Sequence, residues 1–190
     1  MNSNFFKEQY LLFRAKNKDP EAYSKIYDYY VQRIFRFVFF KVNNQEEAQD
    51  LTSEVFLKTW QYIIDGKEIK NLNAFFYKIA RNLVIDYYRK SQQKGISLET
   101  LRTESEALEN LEKDKLLTVS HKELDDQMQL EKIKDKLQYL KDEYREILVL
   151  RYIDGLTIKE IAEIVAKKKG AVRVIIYRAT NALKELMEEK

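Results

Sequence analysis

The sequence predicts an all-α protein of two small helical domains joined by a flexible linker. Apolar residues recur at spacings of three and four along most of the chain, as one face of a helix requires. The alternation of β-branched and polar residues that is typical of strands is absent. The 190 residues include four Gly and one Pro, and these lie between the periodic segments, which favours long uninterrupted helices.

Charge and aromatic content divide the chain into three parts. Residues 1–92 hold 15 Lys/Arg against 11 Asp/Glu and 20 of the 24 aromatic residues. Residues 130–190 hold 14 Lys/Arg against 11 Asp/Glu, whereas residues 93–129 hold 5 against 9 and few aromatic side chains. The middle composition is typical of a linker. We therefore predict a helical domain over 1–92, an acidic linker over 93–129 and a second helical domain over 130–190.

Helical periodicity also predicts the core of the first domain. Asp19 before Pro20 is an N-cap followed by proline at the first helical position. The apolar positions at helical spacing are Ile26, Tyr30, Ile34 and Phe37 on one helix, and Leu51, Val55, Thr59 and Tyr62 on the next.

Basic charge is concentrated in two segments. Residues 67–94 carry seven cations against two acids, and residues 156–184 carry the same numbers. A single basic patch is more often a solvated helix face, but two patches on separate domains could contact one polyanion at two points. Aromatic rings in the first segment (Phe75, Phe76 and Tyr77) could stack on unpaired bases. We expect at least one of the three to pack between helices instead.

Residues 157–179 predict a helix-turn-helix. Thr157 and Glu160 have the spacing of a capping box at the start of the first helix. The apolar faces of the two helices are formed by Ile158, Ile161, Ala162 and Val165, and by Val172, Ile176, Ala179 and Leu183. A basic turn over 167–170 is expected to join them, and the second helix could enter a DNA major groove. A surface hairpin with solvated lysines is the alternative.

Three segments, taken in order, resemble regions of the bacterial RNA polymerase sigma factors. Residues 46–60 (EEAQDLTSEVFLKTW) resemble the polymerase-binding helix of that family. Residues 75–90 (FFYKIARNLVIDYYRK) resemble its promoter-melting and −10 recognition helix, and residues 145–157 (REILVLRYIDGLT) resemble the start of the region that reads the −35 element. The short chain and bare linker are similar to the extracytoplasmic-function (ECF) class, which keeps only these two domains. The resemblance covers nearly all of residues 15–187.

The resemblance implies a polymerase-binding surface and a site for melted DNA. Core polymerase would be bound through an exposed helix face whose residues are Asp50, Ser53 and Glu54. Flipped bases of the −10 element would be held by Phe75, Lys78, Ile79, Asn82 and Asp86, with a loop over 67–73 closing on one base. Phosphates of that strand would be neutralised by Lys78, Arg81, Arg89 and Lys90. Phe75 stands where family members often carry tryptophan, a change that stacking should survive.

The resemblance assigns −35 recognition to the second helix of the helix-turn-helix. Its expected DNA contacts are Lys168, Lys169, Arg173, Val174, Tyr177 and Arg178, with Lys169, Arg173 and Tyr177 at base edges and Arg178 at phosphate. Val174 stands where the family often has a polar residue. This favours either readout of DNA shape or contact with a thymine methyl. Ala166 replaces the usual glycine of the turn, so we expect the first helix to continue or bend without a left-handed residue.

The implied partners are core RNA polymerase, promoter DNA (duplex at −35 and single-stranded at −10) and an anti-sigma factor; no cofactor or metal is expected. An enzyme is disfavoured because the one histidine, His121, has no catalytic or metal-binding companion, and no Gly-rich phosphate loop exists. Cysteine is absent and cations interrupt the N-terminus, which predicts a cytoplasmic protein that an anti-sigma factor could hold at the inner membrane. The alternatives are a dimeric helix-turn-helix regulator that acts without being a polymerase subunit, and a structural helical adaptor.

Overall fold

The computed structural model describes residues 3–93 and 136–188. The chain divides into two compact units, Met1–Arg102 and Thr103–Lys190. Within the described ranges every regular element is helical, which confirms the predicted all-α class. None of these described helices is long and apolar enough to cross a membrane. Nearly all of the predicted linker, together with His121, lies outside the described residues, so the linker stays a prediction.

The first unit contains four described helices that pack around one core. They are α1 (Ser3–Lys16), α2 (Pro20–Val42), α3 (Gln45–Ile64) and α4 (Leu72–Gln93). Helix α2 lies at the centre, in contact with the other three, while α3 also packs against α1 and α4. Helices α3 and α4 therefore share one core, which fixes the orientation of their outer surfaces.

Aromatic rings from α2 and α4 form the centre of this core. Tyr30 stacks on Phe76 with ring centroids 4.6 Å apart, and Phe37 meets Tyr77 edge-on at 5.2 Å. Phe76 and Tyr77 are completely buried. Of the three adjacent aromatic residues considered for base stacking, two therefore pack in the core, and only Phe75 keeps an accessible surface.

Polar side chains cap the helices of the first unit. The Asp19 carboxylate accepts backbone hydrogen bonds from Glu21 and Ala22 at 3.0 and 3.3 Å, which confirms the predicted cap of α2. It also accepts a bond from the Arg14 guanidinium at 2.6 Å. Asn71 caps α4 by accepting from the amide of Ala74 at 2.9 Å, which fixes where that helix begins.

The second unit contains the predicted helix-turn-helix. Helix α5 (Asp142–Leu148) continues into a π-helical turn (Val149–Ile153), and α6 (Ile158–Ile164) and α7 (Lys169–Glu188) follow. Helix α7 packs against both α5 and α6. The buried side chains of this core include Ile147, Leu150, Leu156, Ile161 and Val172.

The cap of α6 is as predicted. Thr157 Oγ1 accepts from the amide of Glu160 at 3.3 Å, and Glu160 Oε2 accepts from the amide of Thr157 at 2.9 Å. Both halves of a capping box are therefore present.

The turn of the helix-turn-helix differs from the prediction at both ends. Helix α7 already begins at Lys169, so Lys169 and Gly170 are helical and the predicted turn over 167–170 is wrong. Ala166 adopts a left-handed conformation with φ 53°, contrary to the expectation that α6 would continue or bend without such a residue. The reason is the C-cap: the amide of Lys167 donates to the carbonyl of Ala162 at 2.9 Å, a bond that requires a left-handed residue between them.

Candidate nucleic-acid and protein interfaces

The outward side of α3 carries the three residues expected to contact polymerase. Asp50, Ser53 and Glu54 are exposed, while Leu51 and Val55 face the core, as the periodicity predicts. The Ser53 hydroxyl donates to the backbone carbonyl of Gln49 at 2.9 Å. Glu54 pairs with Lys58 at 3.2 Å, one turn along the helix. This surface is therefore acidic at its N-terminal end and mixed in charge towards Lys58.

An apolar residue extends the same surface. Leu57 is 66% exposed. It lies one turn beyond Ser53 and two turns beyond Asp50, so the four residues share one side of α3. We call Asp50, Ser53, Glu54 and Leu57 the α3 outer face. Leu57 is not among the residues predicted from the sequence, although its spacing of seven residues from Asp50 places it on the polar side of the helix.

The outward side of α4 brings together most of the residues expected to hold the −10 strand. Phe75, Ile79, Asn82 and Asp86 recur at spacings of three and four, flanked by Lys78, Arg89 and Lys90; we call these seven residues the α4 outer stripe. Asp86 pairs with Arg89 at 3.0 Å. The opposite side of α4 is buried through Phe76, Ala80 and Val84.

Arg81 is the one expected −10 residue that lies off this stripe. Successive residues of an α-helix are about 100° apart around the axis, so Arg81 is turned away from Asn82 by that angle. The side chain is half-buried at the edge of the core. The Arg81 side chain therefore borders the α4 outer stripe along one edge and is not part of it.

An aromatic pair with a neighbouring cation stands at the start of the α4 outer stripe. Phe75 and Tyr62 have ring centroids 4.6 Å apart, tilted by 47°. Lys67 Nζ lies 5.2 Å from the Tyr62 ring centroid and 2.9 Å from Asp65 Oδ2. The hydrogen bond from Lys67, with a second from Gln61, lowers the pKa of Asp65. We call Phe75, Tyr62 and Lys67 the aromatic cluster; it offers a ring surface for stacking and a cation beside it.

The outward side of α7 presents the residues expected at the −35 element. Arg173, Val174, Tyr177 and Arg178 are all exposed, and Tyr177 is 69% exposed. Val172 and Ala179 face the core and fix this orientation. Lys168 and Lys169 are exposed at the N-terminus of the helix, where backbone amides also favour an anion. Asn181 is exposed one turn beyond Tyr177 and extends the same side, a residue that sequence reasoning missed.

Comparisons with known proteins identify the family of the chain. The family described as Sigma-70 region 2 matches residues 26–94, and Sigma-70, region 4 matches residues 130–183. RNA polymerase sigma factor SigV of Bacillus subtilis is 30% identical over 153 residues, which are 80% of this chain and 83% of SigV. ECF RNA polymerase sigma factor BldN of Streptomyces coelicolor is 27% identical over 180 residues; these are 94% of this chain, which spans 65% of the length of BldN.

A solved structure shares the fold. The sigma factor RpoE, solved in complex with the anti-sigma factor NepR from Bartonella quintana, aligns with a TM-score of 0.60 and 20% identity, covering 88% of this chain and 97% of RpoE. Two sigma-70 regions in the expected order and a relative at 30% identity decide the family. The chain therefore belongs to the ECF-type RNA polymerase sigma factors, a family whose members bind core RNA polymerase and direct it to promoters.

Proposed function

We propose that three surfaces of this chain divide the work of transcription initiation. The α3 outer face binds core RNA polymerase, the α4 outer stripe holds the melted −10 strand, and the outward side of α7 reads the −35 duplex. The observation that carries the proposal is the α4 outer stripe, where a half-exposed ring, an amide and flanking cations lie on one side of a helix whose other side is core.

The α3 outer face is complementary to a partner helix that carries basic residues and an apolar patch. The carboxylates of Asp50 and Glu54 are one turn apart and can accept bidentate bonds from arginines. Burial of Leu57 against the partner would add the apolar contact that a stable interface needs at its centre.

The α4 outer stripe suits unpaired DNA. Phe75 can stack on a base, while the Asn82 amide can both donate to and accept from a base edge. Lys78, Arg89 and Lys90 can neutralise phosphates, and Arg81 can do so from the edge of the core. Holding unpaired bases offsets the loss of stacking when the duplex opens, so melting requires no covalent chemistry. The same reasoning supports our prediction that the chain is not an enzyme.

The outward side of α7 suits duplex DNA. The N-terminal residues of a recognition helix contact base edges, which favours Lys169, Arg173 and Tyr177 for this role. Val174 can contact a thymine methyl, while Lys168 and Arg178 can bind phosphates. RpoE in the solved structure is bound by an anti-sigma factor. We infer that the present chain is a cytoplasmic protein. We also infer that an anti-sigma factor binds it and restrains it, including at the inner membrane.

Binding to core polymerase and promoter melting test the first two assignments. The full chain, labelled with a fluorophore, is titrated with core RNA polymerase, and melting is followed by permanganate reactivity of promoter thymines. We expect Asp50→Ala with Glu54→Ala to weaken core binding at least about tenfold. Asn82→Ala should leave core binding unchanged and reduce thymine reactivity. Glu163→Ala, an exposed acid on α6, is the matched control. Equal core affinity for the double variant and the control would refute the polymerase assignment.

A further inference from the structure

Gly170 differs from the other glycines of the described residues in its backbone conformation. Gly66 and Gly155 have φ 74° and 69°, a left-handed conformation that favours glycine. Gly170 does not have a positive φ, and it is the second residue of α7. Glycine destabilises a helix relative to alanine, because its more flexible backbone loses more entropy on folding. The conformation of α7 therefore gives no reason for glycine at residue 170.

Packing within the chain gives no reason for this glycine either. Gly170 is exposed. A Cβ built on it would lie within 4 Å of no atom beyond its chain neighbours and the backbone of its own helix. Alanine would therefore fit at this position of the free chain without strain. What glycine provides here is open space next to the helix backbone, which a bound partner can occupy.

Gly170 lies on the side of α7 that we assign to the −35 duplex. Arg173, Val174 and Tyr177 follow it by three, four and seven residues, which is the spacing of one helix face. All three are exposed, whereas the buried Val172 is turned away from Gly170 by about 160° around the axis. Gly170 is thus at the N-terminal end of this face, the end of a recognition helix that contacts base edges.

The dimensions of DNA make a missing side chain important at this end of the helix. The major groove of B-DNA is about 12 Å wide, and an α-helix with its side chains is about 10–12 Å across. Little room is therefore left between a recognition helix and the base pairs. A residue without a Cβ lets the helix backbone come closer to the floor of the groove.

We propose that Gly170 positions α7 in the −35 major groove, because it lets the helix backbone lie directly against the base-pair edges. A side chain at residue 170 would stand between the helix and the bases, and it would hold Arg173 and Tyr177 away from them. Gly170 is therefore a positioning residue that acts through its lack of a side chain. The inference rests on the proposed −35 function of α7.

Gly170→Ala tests the inference, because stability and DNA binding should not change together. Holoenzyme is assembled from core RNA polymerase and the full chain, and a promoter is selected from random upstream sequence by transcription with the unmodified chain. The long probe carries a duplex −35 element and a forked −10 element, and the short probe is the −10 fork alone. Gly170→Leu adds a larger side chain. Ala171→Leu is the matched control, since it places the same side chain on the neighbouring exposed residue, about 100° around the helix.

Gly170→Ala should weaken binding of the long probe at least about fivefold, as loss of well-placed base contacts does. Gly170→Leu should weaken it further. Neither variant should change the affinity for the short probe or for core polymerase, and Ala171→Leu should change none of these affinities by more than about twofold. In urea unfolding of the full chain, followed by far-UV circular dichroism, Gly170→Ala should keep or raise the midpoint. A purely structural role for Gly170 would lower this midpoint.

Four results would overturn the inference. If Gly170→Ala binds the long probe as the unmodified chain does while Arg173→Ala weakens binding, no base pair lies against Gly170 and the proposed function of α7 stands. If neither variant weakens binding, both proposals fail. If Ala171→Leu weakens binding as much as Gly170→Leu, bulk anywhere at this end of α7 has the same effect. If Gly170→Ala lowers the unfolding midpoint, the fold itself requires the glycine.

Discussion

Glu143 at the start of α5 and Lys167 in the turn of the helix-turn-helix form an ion pair, with Oε1 and Nζ 3.0 Å apart. The pair links residues 24 positions apart along the chain. The pair engages Lys167 with α5, and the neighbouring Lys168 and Lys169 are exposed as well. Both side chains of the pair are about half exposed, so its stabilising contribution is modest.

Reversing one charge of this pair should destabilise the second unit. Glu143→Lys places two cations together and should cost up to about 1 kcal/mol of unfolding free energy. Lys167→Glu in the same chain should restore most of the loss, because the ion pair forms again in reverse. Urea unfolding of the full chain, followed by far-UV circular dichroism, measures both. Glu163→Lys is the control, and an equal loss with that variant would contradict a specific pair.

Two substitutions at residues with left-handed backbone conformation should have opposite effects on the unfolding free energy of the second unit. Ala166 has φ 53° and Gly155 has φ 69°, and nothing lies within 4 Å of a Cβ built on Gly155. Ala166→Gly should therefore stabilise the second unit by about 1 kcal/mol, and Gly155→Ala should destabilise it by a similar amount. Urea unfolding of the two variants checks the signs. Stabilisation by Gly155→Ala would contradict the conformational explanation.

Leu57→Ala should weaken binding to core polymerase by about tenfold or more, because burial of a leucine side chain contributes about 1.5–3 kcal/mol. Its exposure in the free chain means that thermal stability should not change. Met187→Ala removes another exposed apolar side chain and is the control. Unchanged core affinity with Leu57→Ala would exclude this residue from the interface.

The Asp19 cap should make stability depend on pH. Burial raises the pKa of Asp19, but hydrogen bonds from the Ala22 amide, the Arg14 guanidinium and the Glu21 amide outweigh it, so the pKa is lowered overall. A lowered pKa contributes stability that is present above the unfolded value, about 3.9, and is lost as the pH falls through the folded value. Asp19→Asn keeps a cap but removes the charge. The difference in unfolding free energy between the two proteins should be constant above about pH 5 and shrink below pH 4. A difference independent of pH would contradict the charged cap.

Arg173 and Arg178 should differ in what they contribute to −35 binding. Arg178→Ala should weaken binding similarly for all DNA sequences. It should also reduce the slope of log affinity against log salt concentration by about one, as loss of a phosphate contact does. Arg173→Ala should relax the preference at one base position, with a loss of about 1–3 kcal/mol on the preferred sequence. Holoenzyme binding to a set of single-base −35 variants measures both effects. Equal losses across all sequences for Arg173→Ala would assign it to phosphate.

Features set by neighbours in sequence could be predicted from the sequence. The Asp19 cap and the Thr157–Glu160 capping box depend on residues within one turn, and both are present. The burial of Leu51 and Val55 follows from helical spacing, which also placed Asp50, Ser53 and Glu54 on the outside.

Features set by distant contacts could not be predicted. The left-handed Ala166 follows from the sharp reversal that packs α7 against α6, and alanine gives no local signal for it. Phe76 and Tyr77 look equivalent to Phe75 in sequence, but their core partners on α2, Tyr30 and Phe37, lie 46 and 40 residues earlier in the chain. The aromatic partner of Phe75 is Tyr62, which comes from another helix. Arg81 was grouped with the −10 residues by its charge, although its angular position sets it apart.

Run-off transcription tests the sigma role most directly. Purified core bacterial RNA polymerase is mixed with this chain and a library of random upstream DNA, and transcripts are sequenced. We predict specific transcripts that appear only with the chain and share two upstream elements, and that are lost with Asn82→Ala. Absence of chain-dependent transcripts, together with a stable homodimer that binds duplex DNA without polymerase, would contradict the sigma role.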